Sequence, residues 1–231
     1  MPSSLHSLTF EATDPVRLAT FWGDVLDRPV DGTVVLPSDG EEIPIHFIRN
    51  DEPKVEPNQM HFDTTTVSWD DQQQRVDKVI SLGGSVLDFD LPPEELHVPV
   101  QDPEGNEFCV IEPVNNFLKD TARIGAYSSD GSQDEGYFWS AALDWPLVWD
   151  QDEETAIQSP AGGSKISWGG PPLDVRTTRT RLHFNLVPSG DRLTEIDRLV
   201  TLGANQSDDA PCQPGWTAMT TPDGHPFCLT D

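Results

Sequence analysis

The stretch DPEGNEFCVIE at residues 102–112 returns as TPDGHPFCLTD at residues 221–231. In both, a Pro-acid-Gly turn runs into a short strand-like segment carrying a Phe-Cys pair. Three further echoes precede it in the same order. Phe21-Trp22 in FWGDVLDRPV matches Phe138-Trp139 in FWSAALDWPLV. Gln59-Met60-His61-Phe62-Asp63 matches Arg181-Leu182-His183-Phe184-Asn185. VDKVISLGG from Val76 matches IDRLVTLGA from Ile196. In chain order the offsets are 117, 122, 120 and 119. Four matches at nearly constant spacing make the chain two copies of one unit. The join lies near Pro113–Leu118, which predicts domains at 1–114 and 120–231.

Each copy is itself bipartite. LHSLTFEA reads as a strand leading into Thr13-Asp14-Pro15, a helix cap followed by Pro in the first turn. Leu18, Phe21, Trp22 and Val25 then recur at helical spacing, which buries one face. Strands are predicted at 33–36 and 43–48. A new strand begins at His61, and Ser68 or Asp70 caps the next helix. Val76, Val79 and Ile80 form its apolar face, and Gly83 ends it. Strands near 85–88, 96–100 and 107–111 close the copy. The order is β-α-β-β-β, twice per copy.

Composition bounds the function. The 231 residues carry 40 acids against 14 Lys and Arg, a net charge of −26. Such a surface repels phosphate backbones and anionic lipid heads, so neither nucleic acid nor membrane is an expected partner. It suits either plain solubility or a cationic guest. Seven Trp and ten Phe are enough to fill a core. The start, Met1-Pro2-Ser3-Ser4-Leu5-His6, has neither a basic nor an apolar leader region, so the expected location is cytoplasmic. Cys109, Cys212 and Cys228 are too few for a disulfide framework, which fits a reducing compartment. P-loop, dinucleotide GxGxxG, GxSxG and HExxH motifs do not occur.

LHSLTFEATDPVRLATFWGDVL, QMHFDTTTVSWDD, the helix ending in SLGG, and DPEGNEFCVIEP together resemble the vicinal oxygen chelate superfamily, and within it the glyoxalase-like, bleomycin-resistance-like branch. The resemblance implies an α+β fold of two tandem glyoxalase-like domains. Each would be built from two βαβββ modules forming an open barrel, with a ligand cleft on its open face. In metal-dependent members, inward side chains on strands one, four, five and eight bind a divalent ion that chelates two substrate oxygens. Carried onto this chain, those positions fall on His6, His46, His61 and Cys109 in the first copy. In the second copy they fall on Arg123, a position at or near Ser167 beside Trp168, His183 and Cys228.

Two function classes follow. One is a small-molecule binder that sequesters a metabolite or antibiotic without metal. Its cleft would be lined by His6, His46, His61, Cys109, Arg123, Trp168, His183 and Cys228. The other is a lyase, isomerase or dioxygenase holding Zn²⁺, Ni²⁺ or Fe²⁺ on His6, His46 and His61 in the first domain. Glyoxalase I activity is disfavoured, because Cys109 replaces the carboxylate that family members use as acid and base. A nucleophilic Cys109–His61 pair is a further alternative and needs a lowered thiol pKa. With only a His and a Cys remaining, the second copy is read as holding no metal; a third reading makes it mainly a scaffold. The fused chain is expected as a monomer or a homodimer. His97 and His225 are expected to be solvent-accessible structural residues.

Overall fold

The computed structural model describes residues 2–38, 42–89, 92, 94–175, 177–178, 180–207 and 211–231. Four β-α-β-β-β modules follow one another. The first contains β1 (Ser4–Ala12), α1 (Pro15–Leu26), β2 (Val30–Asp31), β3 (Val34–Val35) and β4 (Ile45–Arg49). The second contains β5 (Met60–Thr64), α2 (Trp69–Ser81), β6 (Ser85–Val86), β7 (Val98–Gln101) and β8 (Glu107–Val110). The third contains β9 (Ile124–Ser129), α3 (Gln133–Leu143), β10 (Leu147–Gln151), β11 (Glu154–Ser159) and β12 (Gly162–Trp168). The fourth contains β13 (Leu182–Val187), α4 (Arg192–Thr201), β14 (Asn205–Gln206), β15 (Thr217–Thr220) and β16 (Pro226–Leu229). The tandem α+β architecture expected from the repeats is therefore present, as two open eight-stranded sheets.

The pairing of modules is what spacing alone leaves open. One sheet runs β14-β15-β16-β13-β1-β4-β3-β2, and the other runs β10-β11-β12-β9-β5-β8-β7-β6. The first module thus pairs with the fourth, and the second with the third. β1 lies antiparallel to β13, and β5 antiparallel to β9. Each sheet takes one half from each sequence copy.

Local chemistry sets the helices. Asp14 accepts from the Arg17 amide at 3.2 Å, and Pro15 opens α1 where its missing N–H costs nothing. Ser68, not Asp70, caps α2, taking the Asp71 amide at 3.1 Å. Val76 and Val79 are buried on α2, but Ile80 is 50 % exposed and lies off the apolar face expected of it. Asp27 and Asp144, equivalent by the 117-residue offset, end α1 and α3 in the left-handed region at φ 57° and 56°.

The core lies on the helix-facing side of both sheets. Trp22, Phe10, Phe62 and Phe108 pack there, with the Trp22 and Phe108 ring centroids 4.6 Å apart. Each buried Trp needs an acceptor for its indole N–H. In the first copy Asp102 supplies it at 3.1 Å, from the turn before β8. In the second copy Thr221 stands at that position, and Glu135 of α3 accepts from Trp139 Nε1 at 3.1 Å instead. The same turns also hold the helix starts. Glu104 accepts from the Thr13 and Asp14 amides, and Asp223 accepts from the Ser132 amide and hydroxyl. Among the described residues, no helix is long and apolar enough to cross a membrane.

Candidate functional site

Strand alternation builds the site. In β5, Met60, Phe62 and Thr64 face the core, so His61 and Asp63 face the other way. In β8, Phe108 and Val110 are buried, which turns Cys109 to the same face as Asp63, its neighbour in register. Ser128 of β9 lies opposite His61, and Ser167 of β12 lies beside Ser128. Five polar side chains from four adjacent strands therefore share one concave face.

Their contacts are short. His61 Nε2 lies 3.4 Å from Asp63 Oδ1. The Ser128 hydroxyl donates to Asp63 Oδ2, and the Ser128 and Ser167 hydroxyl oxygens are 3.1 Å apart. One donor atom from each of His61, Asp63 and Cys109 lies within 4.8 Å of the others. Above His61, Ser128 and Ser167 opens a cavity of about 500 Å³, walled by Phe117 and Trp149. Those two rings meet edge to face at 6.2 Å. Phe117 belongs to the connector between the sequence copies. Lys165 holds it, with Nζ 4.2 Å from the ring centroid and bonded to the Phe117 carbonyl.

Electrostatics decide which proton sits where. Burial opposes charge on His61, but hydrogen bonds from its ring to Asp63 and Cys109 outweigh that and push its pKa up to about 10. At neutral pH the floor thus carries an imidazolium. Burial raises the Cys109 thiol, the His61 contact lowers it, and the Asp63 charge raises it further, for a net upward shift. A thiol that stays protonated is a poor nucleophile, which weighs against the nucleophilic Cys109–His61 pair.

The structure splits the residues singled out from the sequence. His61 and Cys109 stand together on the second-plus-third-module sheet. His6 and His46 stand on the other sheet, so they do not join His61 in one metal site. The reason is the cross-pairing of modules. His6 falls at an irregularity in the ladder between Leu5 and Ser7, is exposed, and meets Trp216 edge-on at 6.3 Å. His46 is half-buried, and burial together with the His6 charge lowers its pKa. His183 is buried on β13, in register with Thr9. Arg123 precedes β9 and donates from Nη1 to the Thr65 carbonyl at 2.9 Å, while Ser128 occupies the cleft position on β9. Trp168 is buried and is among the residues lining the cavity.

Cys228 departs from the expectation of unpaired cysteines, because it forms a disulfide with Cys212. His225 is half-buried, with Nδ1 3.1 Å from Gln59 Nε2 and 3.4 Å from Glu135 Oε1. His97 is also half-buried and pairs with Glu95 at 3.2 Å. Asp63 went unnoticed in the sequence, although the two-residue strand period places it on the His61 face. Ser128, Phe117 and Trp149 carry no comparable sequence signal.

A family model described as a glyoxalase-like domain matches residues 7–111 and again residues 127–230. Glyoxalase I from Zea mays superposes with a TM-score of 0.67 at 12% identity, over 99% of this chain and 92% of that one. A Bacillus subtilis protein proposed to be a dioxygenase superposes with a TM-score of 0.60 at 12% identity, over 99% and 84%. At such identities the likeness concerns the fold. No curated protein sequence matches the chain.

Proposed function

We propose, from the premise that the chain belongs to the glyoxalase-like domain family in two tandem copies, that it binds one small molecule in the cleft above His61. In this reading it sequesters a metabolite or antibiotic without metal, as a cytoplasmic protein. The observation that carries it is the cavity of about 500 Å³, with aromatic walls and a hydroxyl-imidazolium floor. Phe117 and Trp149 offer stacking surface to a planar body. His61 and Ser167 offer hydrogen bonds to an oxygen at its tip. A monomer suffices, because each eight-stranded sheet is completed within one chain.

The His61, Asp63 and Cys109 cluster favours a second reading, a divalent-metal lyase, isomerase or dioxygenase. One nitrogen, one oxygen and one sulfur donor suit Zn²⁺ by ligand type, although the remaining cleft positions on β9 and β12 are neutral serines. A bound ion would supply Lewis-acid stabilisation of charge developing on a substrate oxygen. Asp63 returns a carboxylate to the site that Cys109 lacks. It is already engaged by Ser128 and His61.

Elemental analysis of chelator-free protein, with naphthoate titration of the native chain and of His61→Ala, separates the two. The binding reading expects no stoichiometric metal, an unchanged thermal midpoint with Zn²⁺, Ni²⁺ or Fe²⁺, and saturable one-to-one naphthoate binding weakened at least tenfold in His61→Ala. About one divalent ion per chain, lost in His61→Ala, would replace it with the metalloenzyme reading.

A further inference from the structure

The concave face above His61 is built in rows, and the row beyond His61 is acidic. His61 of β5 lies opposite Ser128 of β9, and Ser167 of β12 stands beside Ser128. Side chains two residues apart along a strand share its face. Asp130 follows Ser128 by two residues, and its amide donates to the Gln59 carbonyl at 2.9 Å, which carries the pairing of β5 and β9 one step further. On β11, Ala156 pairs with Ser167, so Glu154 lies two residues away on the same face. Two strand residues span about 6.6 Å. Asp130 and Glu154 both line the cavity of about 500 Å³, one row out from His61, Ser128 and Ser167.

Asp174 joins this row, with its amide donating to Asp130 Oδ2 at 3.1 Å. Among the described residues lining the cavity, none is Lys or Arg. Lys165 of β12 is engaged by the Phe117 carbonyl and ring. Asp130, Glu154 and Asp174 are not gathered tightly enough for their oxygens to share one metal ion, which favours an extended organic cation over a bare one. Ser129, between Ser128 and Asp130, is 6 % exposed and lines the same cavity, and its hydroxyl is buried with no hydrogen-bond partner among the described residues. A ligand N–H arriving at this row would meet an acceptor that the protein leaves unmet.

We infer that the open cleft selects a dipolar ligand, a flat apolar body with an oxygen acceptor at one end and an ammonium at the other, the ammonium held by Glu154 and Asp130. The inference rests on the binding reading given above and adds the charge at the ligand's far end. Asp130 is half-buried and Glu154 is exposed, so the ion pairs form at the mouth, where water screens them in part. Discrimination therefore comes from two carboxylates acting on one nitrogen rather than from a single strong pair. The rows also fix orientation. Reversed, the ligand would set its ammonium against the His61 ring and its oxygen against two carboxylates. Phe117 and Trp149 wall the apolar body between the two ends.

Isothermal titration of the native chain with 2-naphthoate, 6-(aminomethyl)-2-naphthoate and 6-ethyl-2-naphthoate tests this. The last two share a shape and differ in charge. The ammonium probe is expected to bind about tenfold tighter than the ethyl probe. That preference should fall about threefold in Glu154→Gln, and further in the variant that adds Asp130→Asn. It should persist in Asp197→Asn, which removes an exposed acid of α4, because the preference is local and not a response to net charge. Circular dichroism checks each fold, and Glu154→Gln, at an exposed position, carries the test alone if Asp130→Asn unfolds. Equal affinity for the ammonium and ethyl probes, a preference that survives in Glu154→Gln, or one lost equally in Asp197→Asn would overturn the inference, while saturable naphthoate binding would leave the binding reading standing. Saturable binding of none of the three would remove the binding reading and the inference together.

Discussion

On one sheet His61, Ser128 and Ser167 line an open cavity. On the other, His183 and Cys228, the repeat counterparts of His61 and Cys109, are buried, and Cys228 is disulfide-bonded to Cys212. Both faces come from the same repeated module pair, so the strand frame cannot be what separates them. The difference lies in the connections. The 112–123 connector stops at the rim of the open cleft and contributes Phe117 as a wall. On the other sheet Cys212, between β14 and β15, is bonded to Cys228 of β16. A repeated scaffold thus carries an open cavity on one sheet and buried counterparts on the other.

The copies can be set against each other experimentally, beginning with the largest effect. Burial raises the Asp102 carboxyl to about 6, well above its usual 3.8, although its hydrogen bonds pull the other way. A raised carboxyl pKa stabilises the fold below about pH 4, and that contribution fades as pH climbs through 6. The loss amounts to about 3 kcal/mol. Urea unfolding from pH 4 to 7 should show this slope in the native chain and not in Asp102→Asn. An unchanged slope in the variant would move its origin elsewhere.

Next comes a position where the copies accept different side chains. Ala19 sits buried on α1, while its counterpart Gly136 on α3 would place a Cβ 2.0 Å from Thr155 Oγ1. Gly136→Ala should therefore cost about 2 kcal/mol through overpacking, read from the denaturation midpoint. A neutral result would mean that β11 moves aside freely. Phe117→Ala tests the open cleft alone and should weaken naphthoate by about 1 kcal/mol, or roughly fivefold. The smallest effect belongs to His6→Ala. It leaves naphthoate affinity in the open cleft unchanged within about twofold, because His6 stands on the other sheet.

Much of the frame was legible in the residues themselves. Repeated Phe-Trp, His-Phe and Pro-acid-Gly signals reveal four modules, and Asp14-Pro15 and Ser68 mark helix starts that the structure retains. The site was legible only in pieces. His61 and Cys109 can be read from the strand pattern, and Asp63 could have been, since it lies two residues along the same strand. Their separation from His6 and His46 could not be read. Which strand joins which across the sheet centre depends on contacts from 60 to 183 residues apart, and local alternation carries no information about them. The irregularity near His6 adds an offset that no periodicity reveals. The disulfide escaped for a similar reason, because Cys212 in a loop and Cys228 in a strand become neighbours only once the loop folds back.

The cross-pairing also sets an order of events during synthesis. The sheet bearing the open cleft is written by an unbroken stretch, residues 60–168, and every strand it needs has been made by the time β12 emerges. The other sheet is written on both sides of that stretch. β1 is translated before it, yet its antiparallel partner β13 arrives only at residues 182–187. The N-terminal module must wait for nearly the whole chain, while the middle can close ahead of it. Once β12 has left the ribosome, the chain therefore holds every strand of the open-cleft sheet, while β1 is still without its antiparallel neighbour.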